Sequence, residues 1–392
     1  MANNRGYKKI LFSLIQSEIC GKELDATLLQ ELSAEVLANL YEISNKHDVA
    51  HIVASALSKY KKLAQDAISQ QYQKQLWTAI YRYQKINHEL ENICNALERS
   101  GVPFLPLKGS VIRDIYPQPW MRTSSDIDVL IHPEDAEKAI AVLEESGFTL
   151  QHAIATYDYQ MFSDSGVHLE LHHTLIKDES ILHDEKILQN VWNECALVEG
   201  KQFHYHMSEE MFMFHHIEHM ANHITVGGCG IRPFIDLWLL LNKKEYDHEK
   251  LTSLLSEGKL LDFYQAAVVL SKVWLEDAAH NDVTAQLEQY ILRGGVYGTT
   301  ENVAAMKAAK GESKFRSFVK LLYLSRENLE VVYPNLKEHP GLYPFYQVKR
   351  WFRIFNPKKR KRIGDMTAAR NAVSADEEKQ VKNLLLDLGF KE

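Results

Sequence analysis

The first hundred residues have the apolar spacing of helices. Apolar side chains recur at intervals of three and four from Asp25 to Leu57 and again from Asp66 to Ser100. This period places them on one face of an α-helix, and a glycine follows Ser100 at a position typical of a helix end. The pattern predicts that residues 1–100 form an N-terminal helical region.

After Gly101 the pattern becomes that of alternating strands and helices. The segment DIDVLI is apolar and predicts a buried strand, while HPEDAEKAIAVLEESG has the acidic first turn and closing glycine of a helix. The segments YDYQMF and VHLELHH flank the turn-forming SDSG and predict a hairpin. We therefore expect residues 101–200 to form a core of mixed sheet and helices.

Helical periodicity returns beyond about residue 205 and continues to about residue 330. The rest of the chain is interrupted by proline and then becomes highly charged. We expect a C-terminal helical domain at residues 201–340 and a proline-containing basic tail at 341–392. The predicted fold class is α+β, with helical regions on both sides of the core.

Composition and charge narrow the class of protein. The chain has 392 residues, of which 45% are hydrophobic, and this is enough to build apolar cores. A formal net charge of −7 argues against wholesale binding to nucleic acid or membrane. The four cysteines form no CxxC pair, and no apolar run is long enough to span a bilayer. We expect a cytoplasmic protein without a transmembrane segment.

Two aspartates in DIDVLI carry the main chemical signal. Side chains alternate along a strand, so Asp126 and Asp128 share one face and Ile127 points to the other. Buried carboxylates repel each other unless they are protonated, paired with bases or bound to a divalent cation such as Mg²⁺. The alternative is structural: Asp126 caps the strand end and Asp128 pairs with an arginine such as Arg122.

A turn suited to phosphate precedes this strand. In Lys108-Gly109-Ser110 the glycine lets the backbone approach a phosphate, and the Ser110 hydroxyl and the amides after it are donors. Lys108 or Arg122 is the cation expected to help bind phosphate. The turn and the acidic pair together predict a site for a phosphate group and a divalent metal.

These residues carry a resemblance to a known family. The turn, the short helix and the strand with DID resemble the signature of the DNA polymerase β-like nucleotidyltransferase superfamily. More narrowly, LKG…Y…R…DIDVLI, HLELHH and RPFIDLWLLL resemble the uncharacterised nucleotidyltransferases, over most of residues 10–355. The resemblance implies a polymerase β-like core in which the turn holds phosphates and Asp126, Asp128 and Glu170 bind metal. One departure is the spacing of fifteen residues between Ser110 and Asp126, which is longer than usual in the superfamily.

The resemblance implies a reaction. A nucleoside monophosphate would pass from a nucleoside triphosphate, such as ATP, to a hydroxyl group in a Mg²⁺-dependent step that releases pyrophosphate, with Mn²⁺ as the alternative metal. The acceptor is open between RNA, a protein side chain and a small molecule. A non-catalytic nucleotide-binding module is the alternative to an enzyme, but the presence of all three carboxylates argues against it.

Strand alternation gives Glu170 its expected position. In VHLELHH, His168, Glu170 and His172 point to one face, and the leucines between them point to the other. If this strand lies beside DIDVLI, Glu170 adjoins Asp126 and Asp128 and either shares the metal or accepts the proton of the attacking hydroxyl. The alternative is a polar strand face that only meets water.

The stretch HHIEHMANHI contains the order HxxEH, which resembles an inverted zinc-protease motif. His215, Glu218 and His219 would then belong to a zinc metalloprotease, although no acidic third ligand is recognisable downstream. We favour a helix whose histidines, including His219, face the nucleotide cleft, and a solvated polar side is the other alternative. Arg232 and Asp236, one turn apart, predict a helical ion pair or a brace for the cleft.

The basic stretch KRWFRIFNPKKRKR at residues 349–362 has eight basic residues with Trp351, Phe352 and Phe355 among them. Basic and aromatic residues together are typical of phosphate contacts and base stacking, so RNA binding is one hypothesis for this stretch. An anionic membrane surface and a merely solvated tail are the alternatives.

Overall fold

The structure is a computed structural model of the chain. It describes residues 2–154, 157–176, 185–296, 298–313, 323–326, 329–330, 333, 335–354 and 357–390. In these ranges a mixed five-stranded sheet lies between helical regions on both sides, which confirms the predicted α+β class. Within the same ranges, no helix combines the length and apolar character needed to cross a membrane.

The N-terminal region is helical, as its apolar period predicts. The helices before the sheet are α1 (Ala2–Ile19), α2 (Ala26–Gln30), α3 (Ala34–Lys46), α4 (Ala50–Lys59) and α5 (Ala67–Ser100). Asp25, Ser33 and Asp66 accept backbone amide hydrogen bonds at the starts of α2, α3 and α5, so capping residues divide the apolar pattern into separate helices. Gly101 ends α5 with a φ of 67°, a left-handed conformation that favours glycine.

The larger sheet combines parallel and antiparallel pairing. Its strands are β1 (Phe104–Pro106), β2 (Asp126–Ile131), β3 (Phe148–Ile154), β4 (Asp158–Ser163) and β5 (His168–His172), in the order β1-β2-β5-β4-β3. Strands β2 and β5 are parallel, and the other neighbours are antiparallel. Strands β4 and β5 form the predicted hairpin, with Gly166 in its turn. A separate pair consists of β6 (Cys195–Leu197) and β7 (Tyr205–Met207).

Further helices follow β1 and β2 and make up most of the second half of the chain. They are α6 (Gly109–Ile112), α7 (Ala136–Glu145), α8 (Glu185–Gln189), α9 (Glu209–Val226), α10 (Arg232–Lys243), α11 (His248–Glu257), α12 (Leu261–Glu276), α13 (Asp282–Gly294), α14 (Thr300–Ala309), α15 (Asn335–Glu338), α16 (Tyr343–Ile354), α17 (Pro357–Ala372) and α18 (Ala375–Asp387). Short 3₁₀ segments at Arg113–Ile115 and Pro119–Met121 occupy the loop between α6 and β2.

One face of the larger sheet is apolar. Ile127 and Val129 of β2 and Leu169 and Leu171 of β5 are fully buried in a core shared with α5 and α7. Because side chains alternate along each strand, the residues between them point to the opposite, polar face. The apolar core thus fixes which way the acidic residues of β2 and β5 point.

A second apolar core joins the two ends of the chain on the polar side of the sheet. Phe12 of α1 stacks on Trp274 of α12 with ring centroids 4.8 Å apart, and Gln16 donates a hydrogen bond to the Trp274 carbonyl. Residues of α3, α4, α9, α10 and α13 belong to the same core. Helices that are distant in sequence therefore pack together above the polar face.

Candidate active site

The acidic side chains predicted from the sequence lie together on the polar face. In the parallel pairing of β2 with β5, Asp126 is opposite His168 and Asp128 is opposite Glu170. Residues two apart on a strand share a face, so these four side chains point into the same space. The strand that carries Glu170 thus lies beside DIDVLI, which is the condition under which Glu170 adjoins the two aspartates.

Asp128 is a buried carboxylate held by two basic side chains. Lys108 Nζ and His172 Nε2 donate to its Oδ1 at 2.8 and 3.0 Å. Burial acts to raise the pKa of Asp128, but Lys108 and His172 together hold that pKa well below its usual range. The alternative pairing of Asp128 with Arg122 is wrong, since Lys108 and His172 are its partners.

Glu170 is in the opposite electrostatic situation. Burial, and then repulsion from Asp128, raises the pKa of Glu170 from 4.5 to about 7. Its Oε2 lies 3.6 Å from His172 Nε2. A divalent cation between the carboxylates would replace this repulsion by attraction, because the ion is then the largest local charge.

Two groups of side chains on this face have the spacing of a metal site. One contains Asp126, His168 and Glu170, and the other contains Asp128, Glu170 and His172; in each, the candidate ligand atoms lie within 4.8 Å of one another. Carboxylate oxygens suit Mg²⁺ and Mn²⁺, and an imidazole nitrogen suits transition metals better than Mg²⁺. The residues present therefore fit a divalent cation. Both histidines lie on the predicted polar face, although alternation alone assigns them no role.

The turn before β2 holds an unsatisfied hydroxyl. Lys108 has a φ of 45°, which is uncommon for a residue with a side chain, and a Cβ added to Gly109 would lie 3.3 Å from Arg122 Nη1. The Ser110 hydroxyl is buried and has no hydrogen-bond partner. The amide of Ser110 and the amide after it already donate to carbonyls of the same turn, and Ser110 does not line the cleft over the polar face.

Arg122 and Arg232 each pair with an aspartate from a different part of the chain. Arg122 Nε donates to both carboxylate oxygens of Asp236 at 2.8 and 2.9 Å, and the Tyr116 hydroxyl donates to Asp236 at 2.7 Å. Arg232 Nη1 donates to Asp48 Oδ2 at 2.9 Å. The predicted helical ion pair between Arg232 and Asp236 is therefore wrong. The two residues brace the cleft through separate partners instead.

A cleft with a volume of about 510 Å³ opens over the polar face. This is large enough for a nucleotide-sized ligand. His219 and His223 of α9 line the cleft, so part of the histidine-rich helix faces it as we expected. The sequence-predicted residues that line it are Lys108, Gly109, Arg122, Asp126, Asp128, Glu170 and His219.

The HxxEH motif lies mostly behind the cleft. His215 and Glu218 are buried, and His215 lines a smaller adjoining cavity of about 80 Å³. In the part of the chain that the structure describes, the candidate metal-ligand groups lie on the sheet, and none contains His215, Glu218 or His219. The zinc-protease alternative thus gains no ligand cluster from the described residues.

Some residues of the cleft were not among the sequence candidates. Asp158 of β4 is buried, and its Oδ1 has no hydrogen-bond partner. Alternation along YDYQMF was a usable signal for Asp158. Arg82 of α5 and Asp48, which precedes α4, also line the cleft. Tertiary packing brings these two residues there, so no local pattern marks them.

The basic stretch at residues 349–362 is only partly described. Trp351 and Phe352 belong to α16, whereas Phe355 and the side chains of most basic residues lie outside the described residues. RNA binding by this stretch stays a prediction.

Comparison with known proteins agrees with this geometry. The model of a family described as "Uncharacterised nucleotidyltransferase" matches residues 34–276, more than half of the chain, and this range contains every candidate site residue. No curated protein and no solved structure matches the chain. The chain therefore belongs to the family of uncharacterised nucleotidyltransferases and is an enzyme of the transferase class.

Proposed function

We propose that the protein transfers a nucleoside monophosphate from a nucleoside triphosphate, such as ATP, to a hydroxyl of an acceptor with the help of Mg²⁺ or Mn²⁺. The observation that carries this proposal is the pairing of β2 with β5, which brings Asp126, Asp128 and Glu170 to one face of the cleft. The acceptor oxygen bonds to the α-phosphorus. The bond between the α-phosphorus and the oxygen that bridges it to the β-phosphorus breaks, and pyrophosphate leaves.

The three carboxylates would hold the metal, with His168 and His172 beside them. A bound divalent cation supplies charge neutralisation and orientation for the triphosphate. Asp128 is suited to this role because its low pKa keeps it ionised. Glu170, with a pKa of about 7, either completes the metal site or takes the proton of the attacking hydroxyl.

Positive side chains of the cleft hold the triphosphate in this proposal. Lys108 is fixed by Asp128 and lies two residues before the unpartnered Ser110 hydroxyl. Arg122, which is fixed by Asp236, lines the same cleft. Because protein contacts fix these groups before a nucleotide binds, they stabilise charge on the phosphates with little reorganisation.

Transfer of label tests the proposed reaction. Purified protein is incubated with cell extract and each α-labelled nucleoside triphosphate, with Mg²⁺ or Mn²⁺, and the macromolecular and small-molecule fractions are assayed. Asp126→Asn and Asp128→Asn should each lower transfer by ~100-fold or more, because each removes a metal-ligating charge. Asp164→Asn, at an exposed position in the β4–β5 turn, is the matched control and should transfer normally. Full activity in either cleft variant contradicts the mechanism.

A further inference from the structure

The outer side of α5 carries two exposed aromatic rings. Trp77 is 67% exposed and Tyr81 is 69% exposed, among the highest values for large apolar side chains in the described structure. Residues four apart lie on the same side of a helix, with about 6 Å of rise between them. Exposed Trp and Tyr side chains are typical of surfaces that bind a partner.

The same part of α5 is positively charged, although the chain as a whole is acidic. Between Asp66 and Glu89 the sequence contains no aspartate or glutamate, but it contains Lys74, Arg82 and Lys85. The formal charge of the whole chain is −7, so this segment, like the basic stretch at 349–362, has the opposite sign to the overall charge. A surface with this charge is complementary to a polyanion.

Arg82 lies between the two exposed rings and the active-site cleft. It follows Tyr81, points about 100° further round the helix, and lines the cleft that contains Asp126. The cleft cations Lys108, Arg122 and Arg232 are paired with Asp128, Asp236 and Asp48 respectively. Arg82 makes no ion pair or hydrogen bond within the described residues, so its guanidinium is available to an incoming phosphate.

We propose that Trp77, Tyr81 and Arg82 form a binding platform for a single-stranded polynucleotide whose terminal hydroxyl is the acceptor. This inference rests on the proposed nucleotidyl transfer. Bases would stack on the two rings, and Arg82 would bind a backbone phosphate at the entrance of the cleft. Exposed glutamines beside the rings, including Gln73 and Gln84, fit a hydrated polyanion better than a lipid surface.

Fluorescence anisotropy tests the platform without requiring catalysis. The full chain is titrated in EDTA against short 5′-fluorescein-labelled oligo(A), as RNA and as DNA. The double variant Trp77→Ala/Tyr81→Ala should bind about 10-fold more weakly or worse, because two stacking contacts are lost. Trp77→Phe/Tyr81→Phe keeps aromatic rings and should retain most of the affinity. Arg82→Gln should bind more weakly and depend less steeply on salt.

Leu197→Ala is the control, since Leu197 is a 45% exposed apolar residue on β6, outside both α5 and the basic stretch at 349–362. It should bind oligonucleotide like the unmodified protein. Normal binding by the Trp77→Ala/Tyr81→Ala protein, or an equal loss in Leu197→Ala, overturns the proposal. So does the absence of oligonucleotide binding when nucleoside triphosphate still binds, or attachment to anionic vesicles in place of oligonucleotide. Oligonucleotide binding that depends on Trp77 and Tyr81 in a protein without transfer activity supports the platform and contradicts the proposed reaction.

Discussion

Two carboxylates that face each other across β2 and β5 are held in different states by their surroundings. Asp128 receives Lys108 and His172 and keeps its charge, whereas burial and the charge of Asp128 raise the pKa of Glu170 to about 7. Such divergent environments are common where two acids have different roles in one reaction. In the proposed mechanism, Asp128 binds metal throughout, and Glu170 is the group whose role kinetics must resolve.

Replacing Glu170 by glutamine tests whether this residue acts in the reaction, as a metal ligand or as the proton acceptor, or is only a solvated side chain. If Glu170 acts in the transition state, Glu170→Gln should lower kcat by ~100-fold or more while nucleotide affinity changes little. Pyrophosphate release with the acceptor fraction gives kcat, and calorimetry gives nucleotide affinity. Gln160→Ala, at the position opposite Glu170 on β4, is the control and should do much less. A near-normal kcat in Glu170→Gln would reject the role.

At the scale of single residues, the sequence predicted which side chains share a face of a strand. It did not predict which residues of other elements reach the cleft. Alternation places Asp126 and Asp128 on one face of β2, and Glu170 with His168 and His172 on one face of β5. It does not place Asp48 and Arg82 in the cleft, because they come from the N-terminal helical region. Their positions depend on packing between elements, which no local pattern contains.

At the scale of elements, the hairpin and the helices could be predicted, whereas the pairing of β5 with β2 entered the sequence analysis only as a condition for the role of Glu170. The parallel partner of β2 is β5, which follows it in sequence only after α7, β3 and β4. The i, i+4 rule also failed for Arg232 and Asp236, because each finds a stronger partner in another element. The rule describes side-chain pairs on isolated helices. It does not hold where a residue of another element pairs with one of the two side chains and buries it completely.

The Asp236–Arg122 pair between α10 and the loop before β2 should matter for stability. Asp236 is fully buried and Arg122 nearly so. Asp236→Asn would leave the guanidinium without its counter-charge, so we expect the free energy of unfolding to fall by about 3–5 kcal/mol. Denaturant unfolding measures this change. Asp48→Asn makes the same substitution in the more exposed pair with Arg232 and should cost about 1 kcal/mol or less. Equal losses in the two variants would contradict this account.

At the scale of the whole molecule, the cleft has walls from the N-terminal helical region, the sheet and the helices that follow it. Asp48 and Arg82 come from the N-terminal helices, Asp126 and Glu170 from the sheet, and His219 from α9. The sequence predicted the helical flanks of the sheet. It did not predict that helices before and after the sheet share one core. An apolar stripe shows that one side of a helix is buried, but it does not identify the element that covers that side.

His47 lies at a contact between the N-terminal helical region and α13. It follows α3, is fully buried, and its Nε2 lies 3.4 Å from the Leu292 carbonyl of α13. Burial lowers the pKa of His47 from 6.5 to about 4, so the native state binds fewer protons here than the unfolded state does. The contribution of His47 to stability is therefore complete above pH ~6.5 and falls as the pH decreases toward ~4.

Substituting His47 should consequently reduce the acid sensitivity of the fold. Between pH 7 and pH 5 the proton uptake of the unfolded imidazole costs about 2 kcal/mol, a loss that His47→Gln should lack. The measurement is the free energy of unfolding in denaturant at both pH values, compared between the variant and the unmodified protein. Other buried histidines, such as His51 and His216, contribute equally to both proteins and cancel in this comparison. His88→Gln, at an exposed position on α5, should keep the full pH dependence. If His47→Gln keeps it too, the packing of α3 against α13 does not hold His47 neutral.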